Sequence, residues 1–289
     1  MNARLLSKDI KPNTSKAVIG VFAPCDPRID EQSRERCQNL VKHVAESLSG
    51  RIKFPDDSSA EIVYSDVLVD LEPQADLVAK QFLEAGVNIL VCIPDTWSFP
   101  QLTTISLLSH FPKDIPINFT TGNSATRPGV VYTHATNGAI AQYGKLSHIN
   151  IGKWPETGQS PQMSEETLES LVDWCYAAAT FQGLKGKRVV VFGHDSMGME
   201  TALPHVMETR NNFGIEITRL DMKLLADMLQ KESYDKEELQ RLKNWLFSHA
   251  KERIELPEEK DEALLEKSLA LYLIVRDIMK EIDAVGGGF

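Results

Sequence analysis

Residues 186–222 read GKRVVVFGHDSMGMETALPHVMETRNNFGIEITRLDM and predict a strand–turn–helix–strand unit. The apolar run at 189–192 is typical of a buried strand over 188–192, the spacing over 198–211 indicates a helix, and 215–220 is a second predicted strand. This unit starts late in a chain of 289 residues, after enough sequence for a complete α/β domain. The chain is therefore expected to hold two α/β domains.

Strand and helix patterns also alternate along the sequence that precedes this unit. The segment 87–93 reads VNILVCI and is apolar on both faces, as the central strand of a parallel sheet should be. The other predicted strands are 17–23, 61–64, 115–119 and 146–149, and the predicted helices are 29–48, 73–85, 100–108, 130–143 and 164–181. Alternation of this kind predicts a doubly wound parallel sheet with flavodoxin-like strand order.

Three regions follow from these patterns. Residues 1–16 are predicted to be a flexible tail, 17–182 the first α/β domain, and 183–289 a second α/β domain. The last predicted helix, 259–282, contains LALYLIV, which is apolar on all sides. Such a helix needs neighbours on more than one face, and the second domain offers few, so we expect that domain to be incomplete.

Composition narrows the function classes. The chain has 31 Lys and Arg against 41 Asp and Glu, a formal charge of −10, and this balance argues against a nucleic-acid binder. The longest apolar run is too short to cross a bilayer, and the N-terminus lacks the apolar core of a signal peptide. The four cysteines have no metal-ligand spacing and are expected to be buried thiols. We expect a cytoplasmic protein that does not bind membranes.

Candidate site residues follow the predicted strands, because ligands of parallel α/β domains bind at the carboxyl ends of strands. Trp97 follows the third strand, flanked by Asp95 and Ser98, and could stack on a sugar or a base. It could equally pack on its own domain. Arg28, with Asp26, could hold a hydroxyl or carboxylate group, or it could be a surface arginine that pairs with nearby acids, Asp30 or Glu31.

Other polar turns give weaker signals. His194 and Asp195 are adjacent and have no third residue at metal-ligand spacing, so turn and capping roles are favoured. Gly193 and Gly198 match neither GxGxxG nor GxxxxGK[ST], which counts against a Rossmann-type nucleotide enzyme. The stretch 122–124, Gly-Asn-Ser, could be an anion nest or a plain turn.

With these residues in view, the chain resembles the L-fucose isomerase family, which includes D-arabinose isomerases. The similar segments occur in the same order as in the family and together extend over residues 17–289. They are IGVFAPCDPR (19–28), VCIPDTWSFPQLTT (91–104), RPGVVY (127–132), GKRVVVFGHDSMGM (186–199), ITRLDMKLL (217–225), YDKEELQ (234–240) and LIVRDIMKE (273–281).

This resemblance implies a metal-dependent aldose–ketose isomerase, usually with manganese, built from two N-terminal α/β domains and a C-terminal domain and assembled as a hexamer. It implies that a glutamate, an aspartate and a histidine hold the metal beyond residue 289, so no catalytic residue and no metal ligand is assigned in this chain. It also implies that Arg28 and Trp97 bind the sugar in a neighbouring subunit's pocket. The isolated chain is then expected to be inactive on L-fucose- and D-arabinose-type sugars until a C-terminal part or partner chain completes it.

A second hypothesis stays open from the sequence. The chain could be a stand-alone cytoplasmic sugar-binding or regulatory module without catalysis, in which two α/β units close on a small ligand. Sugar binding by the isolated chain would favour this hypothesis, whereas binding only after a partner chain is added would favour the isomerase.

Overall fold

The computed structural model describes residues 17–122, 126–155, 157–194, 203–250 and 259–289. Within these residues the chain divides into two compact units, the first ending at Gly183 and the second beginning at Leu184. The tail predicted at 1–16 lies outside the described residues.

The first unit contains a five-stranded parallel sheet. Its strands are Val18–Phe22 (β1), Glu61–Tyr64 (β2), Ile89–Cys92 (β3), Ile117–Gly122 (β4) and His148–Gly152 (β5). Their spatial order is β2-β1-β3-β4-β5, with parallel pairing throughout. This is the flavodoxin-like order, and it confirms the predicted doubly wound fold. Because the order reverses between β1 and β3, a crevice forms outside their carboxyl ends.

Helices cover both faces of this sheet. They are Glu31–Leu48 (α1), Glu72–Glu84 (α2), Ser106–Ser109 (α3), Gly129–Gln142 (α4) and Glu165–Leu184 (α5), and a π-helical turn, Gln101–Ile105, leads into α3. Alternate residues of β1 reach opposite faces: Ile19 and Val21 pack with α1 and α5, whereas Val18 and Phe22 pack with α2, α3 and α4. The sheet therefore has two separate cores, which is why its central strands are apolar on both sides.

The second unit holds a three-stranded parallel sheet in the order β7-β6-β8. Its elements are Arg188–Phe192 (β6), Val206–Phe213 (α6), Glu216–Leu220 (β7), Met222–Gln230 (α7), Lys236–Ala250 (α8), Glu259–Glu281 (α9) and Ala284–Gly288 (β8). Together with the first unit, this arrangement is α/β throughout the described part of the chain.

One prediction for the second unit needs correction, and one strand of this unit was not predicted. The helix predicted at 198–211 begins only at Val206, after His205, whose ring nitrogen accepts a hydrogen bond from the Glu208 amide. Residues 203–205 are not helical, and 198–202 lie outside the described residues. The strand β8 was not predicted, because its sequence, AVGGG, is poor in strand-forming residues. The strand β8 forms because its backbone pairs with β6.

The apolar helix α9 has more neighbours within its unit than its sequence led us to expect. Ile274 and Ile278 pack in a cluster with β6 and α7, whereas Ala270 and Leu273 pack against Leu239 of α8. Two faces of the helix are thus covered by elements of the same unit. Among the described helices of the chain, none is long and apolar enough to span a membrane.

Candidate functional site

A cleft of about 580 Å³ opens in the first unit at the carboxyl ends of β1, β3 and β4. Four segments line it. They are the end of the β1 loop with the start of α1 (Asp26, Ile29, Gln32, Ser33), the β3 loop (Thr96, Trp97), the segment before α4 (Thr126, Arg127, Pro128), and the segment after β5 (Thr157, Gly158, Gln159). The lining combines hydroxyl, amide, carboxylate and guanidinium groups with one indole, which suits a small polar ligand with an apolar face.

Trp97 lines the cleft and also packs on its own domain. Its ring makes edge-to-face contacts with Tyr132 and Phe99, at centroid distances of 6.4 and 6.3 Å. The Tyr132 hydroxyl lies 2.9 Å from Thr103 Oγ1 and 2.6 Å from Thr104 Oγ1, so the ring beneath Trp97 is fixed. The interpretation that Trp97 packs on its own domain is therefore confirmed, whereas stacking on a sugar or base stays a prediction.

Arg28 pairs with Asp26. Its Nε and Nη2 donate to the two carboxylate oxygens at 2.8 and 2.6 Å, and its amide donates to Asp26 Oδ1 at 2.9 Å. These hydrogen bonds lower the pKa of Asp26 below its usual value. Asp30 instead caps α1, accepting a hydrogen bond from the Ser33 amide. The alternative pairing of Arg28 with Asp30 is thus not observed.

The structure brings Arg28 and Trp97 together through Phe99. The guanidinium carbon of Arg28 lies 5.5 Å from the centroid of the Phe99 ring, which in turn contacts Trp97. The Arg28 side chain is 73% exposed, so its guanidinium group is accessible from solvent. A buried hydrogen bond from Ser98 Oγ to the Cys25 carbonyl, 2.8 Å long, joins the loops that carry the two residues.

The adjoining loop is joined to β4 in a similar way. Thr121 Oγ1 donates to the Pro94 carbonyl at 2.7 Å. Gly129, the first residue of α4, packs against the same carbonyl and leaves no room for a Cβ atom. These contacts hold the carboxyl ends of β3 and β4 and the start of α4 close together at the cleft.

A buried ion pair behind the cleft was missed by the sequence analysis. Arg36 of α1 donates from Nε to Asp95 Oδ2 at 2.9 Å and from Nη2 to Oδ1 at 3.3 Å. Arg127 Nη1 and Trp154 Nε1 donate to the same carboxylate at 3.1 and 2.9 Å. Asp95, noted in the sequence only as a neighbour of Trp97, therefore faces the interior.

One sequence signal could have identified Arg36. The buried positions of α1 follow helical spacing, and Arg36 occupies the first of them, in line with Leu40 and Val44. An arginine in an apolar stripe needs a buried partner, because an uncompensated charge there is very costly. Asp95, which follows the buried strand 87–93, was one candidate of opposite charge in the predicted topology.

The two carboxylates at or behind this cleft are engaged by donors of the same unit. Asp26 is engaged by Arg28, and Asp95 is enclosed by four donor contacts. Among the described residues, no three His, Cys, Asp or Glu side chains come together as a metal site.

The weaker turn signals lie mostly outside the described residues. His194 is described, but Asp195, Ser196 and residues 123–124 are not, so their predicted turn, capping and nest roles stay predictions.

Comparison with known proteins identifies relatives along nearly the whole chain. Residues 16–186 match the family model of the first N-terminal domain of L-fucose isomerase, and residues 187–286 match the second. An L-fucose isomerase of Streptococcus pneumoniae (strain CGSP14) is 24% identical over 271 residues, which cover 90% of this chain and 45% of that protein.

A second relative matches the chain with similar identity and coverage. The L-fucose isomerase of Vibrio vulnificus (strain YJ016) is 23% identical over 270 residues, covering 91% of this chain and 46% of that protein. The chain thus spans about half the length of the curated relatives it matches. Because models of both N-terminal domains match consecutive parts of the sequence, the chain belongs to the L-fucose isomerase family.

Proposed function

We propose that this chain supplies the N-terminal region of a metal-dependent aldose–ketose isomerase acting on L-fucose- or D-arabinose-type sugars. In this proposal the first unit presents Arg28 and Trp97 to the sugar pocket of a neighbouring subunit. The observation that supports it is the convergence of both side chains on Phe99, at the carboxyl edge of the first sheet. An exposed guanidinium group beside a fixed indole suits a sugar, which has hydroxyl groups and an apolar ring face.

The chemistry of the reaction explains why, in this proposal, the chain needs further residues from a C-terminal part or a partner chain. Moving a proton between C1 and C2 of an open-chain sugar requires a base near carbon and a charge that holds both oxygens. A divalent ion, manganese in our proposal, would supply that charge in the complete enzyme. The residues described here provide no ligand set for it. Arg28 and Trp97 would instead orient the sugar and exclude water, and such positioning lowers the barrier.

The same proposal extends to the assembly. A C-terminal part or a partner chain would carry the metal ligands, and the complete enzyme would form a cytoplasmic hexamer in which one subunit's first unit closes another's pocket. Its support is the family membership and the length of the relatives, which are about twice as long as this chain. The exposure of Arg28 is consistent with a contact made between subunits.

The purified 289-residue chain is expected to isomerise neither L-fucose nor D-arabinose in the presence of manganese. The physical reason is that the proton transfer lacks both its base and its metal. A ketose-specific colorimetric assay measures this directly, with an intact isomerase of the same family as the positive control. Turnover clearly above the metal-only blank would contradict the proposal.

In the completed assembly, Trp97→Ala and Arg28→Ala are each expected to lower kcat/KM for the sugar about tenfold to a hundredfold, the loss of one orienting contact. Trp245→Ala is the matched control, because Trp245 is an exposed tryptophan on α8 of the second unit. Steady-state kinetics on the three variants makes the comparison. If Trp97→Ala and Trp245→Ala lower kcat/KM equally, Trp97 does not bind the sugar.

One observation favours the alternative, a stand-alone sugar-binding module without catalysis. The cleft is formed entirely by residues of the first unit, so this chain could bind a small polar ligand without a partner. Calorimetric titration of the isolated chain with L-fucose and D-arabinose separates the two hypotheses. Binding by the isolated chain favours the module, whereas binding only after the complementing polypeptide is added favours the isomerase.

A further inference from the structure

We propose that Asp95 is a positioning residue, whose carboxylate holds the loops around the cleft in the arrangement that orients Trp97 and Arg127 toward a ligand. The proposal rests on the proposed function only in taking that ligand to be a sugar. Asp95 itself is 2% exposed and does not line the cleft. Its effect on a ligand therefore has to pass through the groups that it holds.

The carboxylate of Asp95 has a full set of donors. Oδ1 accepts from Arg36 Nη2 at 3.3 Å and from Trp154 Nε1 at 2.9 Å. Oδ2 accepts from Arg36 Nε at 2.9 Å and from Arg127 Nη1 at 3.1 Å. Three charged or aromatic side chains from separate parts of the chain thus meet at one residue. Asp95 itself is not among the residues that line the cleft.

Three walls of the cleft are connected to this carboxylate, through Arg127, through the loop of Asp95 itself and through Trp154. Arg127 lines the cleft directly and is 22% exposed, so Asp95 restrains a guanidinium group that a ligand can reach. Asp95 is two residues before Trp97 and thereby restrains the wall that carries the indole. Trp154 begins the segment that reaches the cleft at Thr157.

Arg36 extends the effect to the backbone after β5. Its Nη2 donates to the Pro155 carbonyl at 2.6 Å, and its Nη1 donates to the carbonyls of Gly158 at 2.6 Å and Thr157 at 3.2 Å. The Trp154 ring lies directly on Gly122, where an added Cβ would come within 2.6 Å of it. Residues 154–155 and 157–158 are therefore held by polar contacts to Asp95 or to its partner Arg36. The next residue is held separately, because Asn39 Nδ2 donates to the Gln159 carbonyl at 3.0 Å.

The energetics favour a role in geometry. A buried ion pair adds little net stability compared with apolar side chains of similar volume, because both charges lose their hydration. A carboxylate with two guanidinium groups does, however, define directions and distances that an apolar cluster would leave open. The site thus gains a fixed arrangement of three loops, which is the property that an orienting cleft needs.

Limited proteolysis of the full 289-residue chain tests this role. The peptide bond after Lys153, an exposed lysine just past β5, reports opening of the segment that Asp95 holds. Under conditions where cleavage follows the open population, Asp95→Asn should raise the tryptic cleavage rate after Lys153 about tenfold. Trp154→Phe, which removes one donor and keeps an aromatic ring, should raise it about threefold. Mass spectrometry of the fragments identifies the cut.

Asp70→Asn is the matched control. Asp70 is also buried and also pairs with an arginine of α1, Arg34, at 2.8 Å, but it does not line the cleft or contact the segment after β5. Cleavage after Lys153 should stay within about twofold of the parent chain in this variant. Cleavage after Lys80, on the exposed side of α2, serves as the internal reference for opening of the whole unit.

A spectroscopic signature accompanies the proteolysis. The indole N–H signal of Trp154 in ¹H–¹⁵N spectra, assigned by its disappearance in Trp154→Phe, should shift in Asp95→Asn and keep its position in Asp70→Asn. An unchanged Lys153 cleavage rate in Asp95→Asn would overturn the proposal. Equal acceleration at Lys153 and Lys80 would also overturn it, because Asp95 would then stabilise the whole unit. If Asp95→Asn fails to fold, the cleavage rates of Trp154→Phe after Lys153 and Lys80 decide in its place.

Steady-state kinetics with L-fucose tests whether this role of Asp95 affects the reaction of the sugar. In the completed, metal-loaded assembly, Asp95→Asn should lower kcat/KM for L-fucose about tenfold, because Trp97 and Arg127 then orient the sugar less well. A kcat/KM equal to that of the parent assembly would contradict positioning. If the parent assembly shows no turnover at all, the proposed function fails, whereas the cleavage rates and the indole signal still decide the role of Asp95.

Discussion

Arg36→Met is expected to lower the free energy of unfolding of the first unit by about 3–5 kcal/mol, the cost of breaking a buried ion pair from one side. The variant leaves the buried carboxylate of Asp95 without its main counter-charge. It also removes the donors that Arg36 gives to the carbonyls of Pro155, Thr157 and Gly158. Methionine fills much of the volume of arginine, so the loss reports the polar contacts rather than a cavity.

Urea denaturation followed by far-ultraviolet circular dichroism measures this loss as a lower midpoint at constant slope. Arg34→Met is the control on the same helix. Its partner is Asp70, and its side chain is 26% exposed, so solvent screens the interaction and we expect a loss of about 1 kcal/mol. A loss in Arg36→Met no larger than that in Arg34→Met would show that the buried network is not a major source of stability.

Gly129→Ala is expected to destabilise the first unit by about 2–3 kcal/mol, at the upper end of overpacking effects. An added Cβ would lie 2.7 Å from Thr121 Oγ1 and closer still to the Pro94 carbonyl oxygen. Because that oxygen belongs to the backbone, rotation of a side chain cannot relieve the clash. The start of α4 has to move away from the β3 loop, which also opens the cleft wall at Arg127 and Pro128.

Gly138→Ala provides a control of opposite sign on the same helix. Gly138 is exposed, and an added Cβ there meets no atom within 4 Å. Alanine should therefore stabilise the helix by about 0.5–1 kcal/mol through its higher helix propensity. Thermal unfolding of both variants tests the pair. A stabilising Gly129→Ala would mean that α4 does not approach the β3 loop as closely as the structure shows.

The sequence alone predicted the doubly wound sheet and the place of the candidate site. Strand 87–93 is apolar on both faces, and the regular alternation of strands and helices leaves few ways to arrange the first sheet. Arg28 and Trp97 follow strands β1 and β3, and parallel strands bring their carboxyl ends to one edge, so their proximity could be inferred. These features depend on short-range periodicity and on general rules of chain topology.

Only the tertiary structure decided which side chains pair behind the cleft and which segment completes the second sheet. Arg36 and Asp95 are 59 residues apart, and their pairing depends on how α1 packs beside the β3 loop. The glycine-rich strand β8 exists because β6 offers hydrogen bonds, not because its own residues favour a strand. Periodicity shows which positions are buried, but the partner of a buried charge depends on distances between remote segments that the folded chain alone sets.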